Sequence, residues 1–149
     1  MARYVTTVRS PFTTVEAFAR MADLSGFAEW DPGVTAARQV RGQGPGPDAE
    51  WDLTLAQPPR FRLRYKVREF VDGERVVVEA RHPLLTSYDI ISVEEAGTGS
   101  SVTYDAEVSL RGPLGLFDGM LARSFQQIGD RAAAGLAEYL HEVKETAGP

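Results

Sequence analysis

The chain has 149 residues, a length typical of a single domain, and its 43% hydrophobic and 25% charged residues are ordinary values for a globular protein. The formal net charge is −5, and this acidic balance argues against nucleic-acid binding, which normally requires a basic surface. The absence of cysteine excludes disulfides, thiolate metal sites and a cysteine nucleophile.

The N-terminal residues contain no apolar stretch of the kind that forms a signal peptide, and no run of about 18 apolar residues predicts a membrane span. We therefore expect a cytoplasmic location by default. The two histidines, His82 and His141, are far apart in sequence, so neither a metal site nor any other cofactor is expected. The expected partner is a small hydrophobic ligand, and the expected assembly is a monomer or weak homodimer.

The first part of the chain predicts one strand, at residues 4–11, followed by two short helices. Thr13 and Glu16 have the spacing of a capping box, and apolar residues then recur at intervals of three and four. The second short helix reaches Trp30 and ends at the sequence Asp-Pro-Gly, residues 31–33, because proline disfavours helical backbone in the residue before it.

Residues 34–110 carry only strand and turn signals. The clearest alternation runs through residues 60–67, where basic side chains alternate with apolar ones. The pair Asp72 and Gly73 predicts a tight hairpin turn, and residues 96–100 predict another. Successive strands joined by short turns favour an antiparallel sheet over strand–helix–strand units.

After Gly112 and Pro113 the period of the apolar pattern changes to that of a helix, which continues for about thirty residues, or about 45 Å. A curved sheet of about seven strands with one apolar face and a helix with one apolar stripe must cover each other. The sequence therefore predicts a single α+β domain over residues 1–149, with the two short helices closing one end of the sheet.

These elements in this order resemble the START-like helix-grip superfamily, also called SRPBCC, and within it the polyketide cyclase/dehydrase and lipid-transport-like branch. Residues 8–34, residues 97–110 and the segment Gly-Pro-Leu-Gly at 112–115 carry the resemblance. The superfamily includes plant pathogenesis-related allergens, lipid-transfer domains and bacterial aromatase/cyclases. The resemblance implies a deep, mostly apolar cavity between the sheet and the long helix. Its motifs specify the fold better than the function.

The side chains predicted to face this cavity follow from the alternation of each strand and the apolar stripe of the long helix. Polar side chains among them are the informative ones, because a polar group that faces an apolar interior needs a partner. The strand around residues 87–95 has two open interpretations, one that turns Asp89 inward and one that turns Tyr88 inward. The candidate ligand-binding residues are Trp30, Trp51, Leu53, Phe61, Leu63, Tyr65, Val78, Tyr88, Tyr104, Phe117, Met120, Leu121 and Phe125.

The candidate catalytic residues are His82, Asp89, Tyr104 and Arg68. An imidazole such as that of His82 can act as a general acid or base near neutral pH. Aromatase/cyclases are similar to this chain in placing a tryptophan at the position of Trp30, and the resemblance implies a pocket arginine for which Arg68 is the match. Strand alternation turns Arg68 outward unless a bulge intervenes, and Phe70 breaks the alternation as a bulge would.

Three functions remain open. The first is the binding, or carriage, of a small hydrophobic or aromatic metabolite. The second is a polyketide cyclase- or dehydratase-like enzyme that uses pocket tyrosine, histidine, aspartate or arginine side chains. The third is a protein-interaction module like the co-chaperone relatives of the same fold, which a filled core without a cavity would favour.

Overall fold

The computed structural model describes residues 2–56 and 62–146, and of these the side chains at 116–118, 120–124 and 141–146 are not described. The strands are β1 (Ala2–Ser10), β2 (Val34–Arg41), β3 (Glu50–Leu55), β4 (Arg62–Val71), β5 (Arg75–Arg81), β6 (Leu85–Ala96) and β7 (Gly99–Leu110). The helices are α1 (Thr14–Met21), α2 (Phe27–Trp30) and α3 (Asp118–Thr146), with 3₁₀ turns at Leu24–Gly26 and Gly112–Phe117.

The seven strands form one antiparallel sheet in the order β1-β7-β6-β5-β4-β3-β2. Each strand from β2 to β7 pairs with its neighbours in sequence, whereas β1 pairs with β7 at the far edge. This arrangement confirms the predicted antiparallel sheet with short helices between β1 and β2 and a long C-terminal helix. Gly73 adopts a positive φ of 79° in the β4–β5 turn, as the predicted hairpin requires.

The short helices begin where the sequence predicts. The side chain of Thr13 accepts a hydrogen bond from the backbone N–H of Glu16 and so caps α1. Phe18 of α1 is buried against the sheet, where its ring meets the ring of Phe70 edge to face, with the centroids 5.5 Å apart. The α1 helix therefore closes the end of the sheet at which β4 turns into β5.

Two glycines let α3 approach its neighbours closely. A Cβ at Gly129 would overlap the ring of Tyr4 on β1, and a Cβ at Gly135 would overlap the carbonyl oxygen of Trp30 on α2. The hydroxyl of Tyr4 also donates to a carboxylate oxygen of Asp130, with 2.7 Å between the oxygens. These contacts hold the middle of α3 against β1 and α2.

The inner face of the sheet, which faces the helices, is apolar, whereas the outer face is charged. On the outer face, Arg64 of β4 donates two hydrogen bonds to Asp52 of β3, and Arg3 of β1 donates two to Asp105 of β7. The basic side chains of the alternating stretch in β4 thus lie on the exposed face, as their period of two predicts.

Candidate functional site

A small cavity lies on the inner face of the sheet, where β1 and β7 meet α2 and α3. Its volume is about 60 Å³. Most of its wall is apolar, and aromatic rings from β1, α2, β7 and α3 contribute to it. The described lining residues are Tyr4, Thr6, Trp30, Asp31, Tyr104, Ala106, Phe125, Ile128, Gly129, Ala132, Ala133 and Leu136.

Trp30 forms one wall of this cavity and is only 4% exposed. Its position follows from the turn that ends α2: the backbone N–H of Asp31 donates to the carbonyl of Phe27, and a carboxylate oxygen of Asp31 accepts from the N–H of Gly33, 2.8 Å away. The indole meets the ring of Tyr104 nearly at right angles, with 5.5 Å between centroids. The Asp-Pro-Gly turn thereby directs the indole toward the interior.

Tyr104 leads from the cavity to a buried chain of hydrogen bonds. Its hydroxyl donates to Oδ2 of Asp89, and the two oxygens are 2.7 Å apart. Oδ1 of Asp89 accepts a longer bond of 3.4 Å from the hydroxyl of Ser87, which in turn accepts from the hydroxyl of Tyr65 at 2.8 Å. All four residues are buried, and they come from β4, β6 and β7.

Burial is the largest cause of the pKa shifts in this chain of hydrogen bonds. Desolvation raises the pKa of Asp89 to about 7, although the hydrogen bond from Tyr104 acts in the opposite direction. The negative charge of Asp31 raises the pKa of Asp89 further. Burial also raises the pKa of Tyr65 and of Tyr104 well above the usual value of a phenol, so both act as neutral donors. A carboxyl that changes its charge near pH 7 can exchange a proton with a bound molecule.

Several predicted ligand-binding residues pack in the core around this chain. Leu53, Leu63 and Val78 are buried on the inner face. Trp51 is fully buried opposite Tyr65 in the β3–β4 pair, and its indole Nε1 has no hydrogen-bond partner within the described residues. A buried donor without a partner is costly, by about 1–3 kcal/mol, unless a ligand or water supplies an acceptor.

Of five further predicted ligand-binding side chains, the structure describes one. Phe125 is half-buried and lines the cavity. Phe61 lies outside the described residues, and the side chains of Phe117, Met120 and Leu121 lie outside the described part of α3 and the turn before it.

The structure shows which residues of β6 face inward, and Tyr88 is not one of them. The buried residues of this strand are the odd-numbered ones from Leu85 to Val93, which include Asp89. Tyr88 therefore points to the outer face, where its neighbours across the sheet are Glu79 and Glu107. Both faces of this strand carry isoleucines, and for that reason the apolar pattern left two interpretations open.

The structure also keeps Arg68 and His82 away from Asp89. A bulge does occur between Val67 and Glu69, but it turns Phe70 inward, and Arg68 stays on the outer face, where its Nε donates to Glu79 at 3.0 Å. His82 lies just after β5, and its Nδ1 accepts the N–H of Leu84 at 3.1 Å in a local turn. Neither residue belongs to the buried hydrogen-bond chain.

Sequence reasoning missed two residues of the site. Ser87 links Tyr65 to Asp89, and it shares the inward phase of Asp89 two positions away, which is the signal that would have found it. Asp31 was interpreted only as part of a turn, yet it lines the cavity, and desolvation raises its pKa despite the hydrogen bond from Gly33. In the described residues no group of three or more histidine, cysteine, aspartate or glutamate side chains has the geometry of a metal site.

No helix in the described part of the chain is long and apolar enough to cross a membrane.

Comparison with known sequences identifies one family over most of the chain. The sequence profile described as "Polyketide cyclase / dehydrase and lipid transport" matches residues 1–141. No curated protein is significantly similar to the chain.

Comparison with solved structures confirms the predicted helix-grip fold of the START superfamily. A START superfamily protein from Mycobacterium smegmatis superposes with a TM-score of 0.77 at 10% identity, with 97% of this chain and 100% of that chain covered. A protein from Thermus thermophilus gives 0.72 at 16% identity, with 96% and 98% covered. The di-domain ARO/CYC StfQ from the steffimycin biosynthetic pathway gives 0.70 at 12% identity, with 99% of this chain and 52% of that chain covered. At these identities the likeness concerns the fold alone.

Proposed function

Because the chain belongs to the polyketide cyclase/dehydrase and lipid transport family, we propose that it binds a small hydrophobic or aromatic metabolite between the sheet and the C-terminal helix. The observation that carries this proposal is the cavity walled by Trp30, Tyr104 and Phe125, whose Tyr104 donates a hydrogen bond to the buried carboxyl of Asp89. An apolar cavity with a few convergent polar groups is the usual form of a small-molecule site.

The size of the cavity indicates which part of a ligand it holds. One water needs about 10–15 Å³ of such space, so the cavity accepts a group of roughly four or five heavy atoms. That is the end of a metabolite, such as one ring edge or one branched head, rather than a whole ligand. On the same inner face lie the polar chain from Tyr65 to Tyr104 and the Nε1 of Trp51, which has no partner among the residues that the structure describes. These features favour ligand binding over a role as a protein-interaction module.

The test introduces a larger side chain at one of two neighbouring alanines of α3, of which one lines the cavity and the other does not. Ala133 lines the cavity, whereas Ala134 is exposed. A panel of lipids and aromatic metabolites is screened by thermal shift, in which stabilisation grows with ligand concentration. We expect Ala133→Leu to abolish the shift that a binding compound produces, and Ala134→Leu to retain it. Equal shifts in both variants would place binding elsewhere, and no shift with any compound would refute the proposal.

A second candidate is a cyclase- or dehydratase-like enzyme in which Asp89 exchanges a proton with the substrate. Its specific support is a carboxyl with a pKa of about 7 that accepts a hydrogen bond from Tyr104, a residue of the cavity wall. On a polyketide-like substrate, Asp89→Asn should reduce turnover by about 10²- to 10⁴-fold, the usual contribution of a general acid or base. Asp52→Asn, on the outer face, is the matched control and should leave turnover unchanged. Equal turnover in both variants would remove this candidate.

A further inference from the structure

We propose that the group held in the cavity is a positively charged amine or quaternary ammonium. This inference rests on the proposed function, because it specifies the chemistry of the ligand end that the same cavity accepts. Three independent features carry it: the charges around the cavity, the aromatic rings in its wall, and its size.

The charged groups at the cavity that the structure describes are negative. Asp31 lines the cavity directly, and Asp89 lies one hydrogen bond behind Tyr104. None of the described lining residues is lysine, arginine or histidine. Within the described residues the carboxylate of Asp31 accepts one hydrogen bond, from the N–H of Gly33, and forms no ion pair. A carboxylate that is partly withdrawn from water is stabilised by a cationic partner, and a cation in the cavity would supply one that the described residues do not.

The negative charge of Asp31 acts across this whole region. Burial is the largest cause of the raised pKa values of Asp89, Tyr104 and Tyr65, and the charge of Asp31 raises each of them further. The charge of Asp89 acts in the same direction on the two tyrosines. Asp105, on the outer face of β7, acts on Asp89 in the same direction. A bound cation would relieve this repulsion, whereas a bound carboxylate would increase it.

The aromatic rings give a cation a second source of attraction. Trp30 and Tyr104 stand at 84° to each other and both line the cavity, together with Tyr4 and Phe125. The face of an aromatic ring attracts a cation within about 6 Å, and tryptophan attracts it most strongly. Aromatic walls combined with a carboxylate therefore favour an ammonium group over a neutral group of the same shape.

The size of the cavity fits the same group. Space of about 60 Å³ corresponds to roughly four or five heavy atoms, and a trimethylammonium group has about four. The mostly apolar wall offers no array of donors, among the described residues, for an anionic head such as a phosphate. The site is thus shaped for a compact, weakly hydrated cation.

The test measures binding by calorimetry with probes that share one chain and differ in the charge of the head. The probes are octyltrimethylammonium, octan-1-ol and octanoate, at about pH 8, where the carboxyl of Asp89 is mostly ionised. Choline and 3,3-dimethylbutan-1-ol form a second pair with the same shape and different charge. We expect each cation to bind about tenfold more tightly than its neutral counterpart, and octanoate to bind most weakly.

Two variants that change the net charge equally separate the local effect from the global one. Asp31→Asn keeps an acceptor for the N–H of Gly33 but removes the charge at the cavity, whereas Asp52→Asn removes a charge on the outer face. We expect Asp31→Asn to weaken octyltrimethylammonium about tenfold and octan-1-ol less than about twofold, with Asp52→Asn weakening neither. Retained binding of octan-1-ol shows that the Asp31 variant is folded.

The outcomes distinguish this inference from the proposed function. If octan-1-ol binds as tightly as octyltrimethylammonium, or if both variants weaken the cation equally, the charge inference is wrong and hydrophobic binding stands. If none of the probes binds, the inference fails, and failure of the wider panel to stabilise the protein would refute the proposed function as well.

Discussion

Two carboxyl groups on opposite faces of the same sheet have pKa values that are shifted in opposite directions. Asp52 lies on the outer face and accepts two hydrogen bonds from Arg64, of 2.8 and 3.0 Å, which lower its pKa. Asp89 lies on the inner face and also accepts two hydrogen bonds, yet burial raises its pKa to about 7. The number of hydrogen bonds is the same, so the difference comes from a cationic partner on one face and desolvation on the other.

The difference between Asp52 and Asp89 shows that the carboxyl group with a changeable charge lies on the inner face of the sheet. The outer carboxylate of Asp52 is neutralised by the guanidinium group beside it. Among the described residues, the hydrogen-bond partners of the inner carboxyl are neutral hydroxyls, so its charge is decided by the pH or by a bound molecule. The cavity is thus linked, through the hydroxyl of Tyr104, to a carboxyl group that can still change its protonation state.

The largest effect expected from this contrast is on the pH dependence of stability. Asp89 has a higher pKa in the folded state, about 7, than in the unfolded chain, about 3.9. Its contribution is fully present below about pH 4 and is lost as the pH rises through about 7, by up to roughly 4 kcal/mol. We expect Asp89→Asn to remove most of this loss in urea unfolding at about pH 4 and about pH 8.

Asp31 also contributes to the pH dependence of stability in that experiment. Its pKa is also raised, so a smaller fall in stability with rising pH should remain in Asp89→Asn. Asp52→Asn is the matched outer-face variant, and the lowered pKa of Asp52 gives the opposite sign: its contribution is lost as the pH falls. Parallel stability profiles for the protein and Asp89→Asn would show that Asp89 is not held in an apolar environment.

A second prediction compares a closely packed position with an open one at two glycines of α3. Gly135 faces the carbonyl of Trp30, whereas an added Cβ at Gly119 would meet none of the described atoms within 4 Å. We expect Gly135→Ala to destabilise the protein by about 1–3 kcal/mol, because the helix must move away from α2. Gly119→Ala should stabilise it by about 0.5–1 kcal/mol through helix propensity. Thermal unfolding of both variants is the measurement, and a neutral effect at Gly135 would contradict the close packing.

The fold was largely predictable because each element displays its own period. The alternation in β4, the hairpin residues Asp72 and Gly73 and the capping residue Thr13 are all local signals, and the structure confirms each of them. The period of the C-terminal segment likewise predicts α3. Such signals depend only on neighbours within a few residues, which are visible in the sequence itself.

The site was less predictable because its contacts join residues that are distant in sequence. Tyr65 meets Ser87 across 22 positions, and whether Ser87 and Asp89 point inward depends on the phase of β6. Isoleucines at 90 and 91 satisfy either phase, so only the packed sheet decides between them. The bulge near Arg68 was anticipated from Phe70, but which side chain it would turn inward depends on the partner strand.

The smallest expected effect tests the outer face. The ion pair of Asp52 with Arg64 is bidentate, but the side chain of Arg64 is 53% exposed, so water screens the attraction. A double-mutant cycle of Asp52→Asn and Arg64→Met in urea unfolding should give a coupling energy of about 0.5 kcal/mol, within the usual range for exposed pairs. Added salt should reduce it further. A coupling of several kcal/mol would mean that the outer pair, like Asp89, is effectively desolvated, and the contrast between the two faces would then fail.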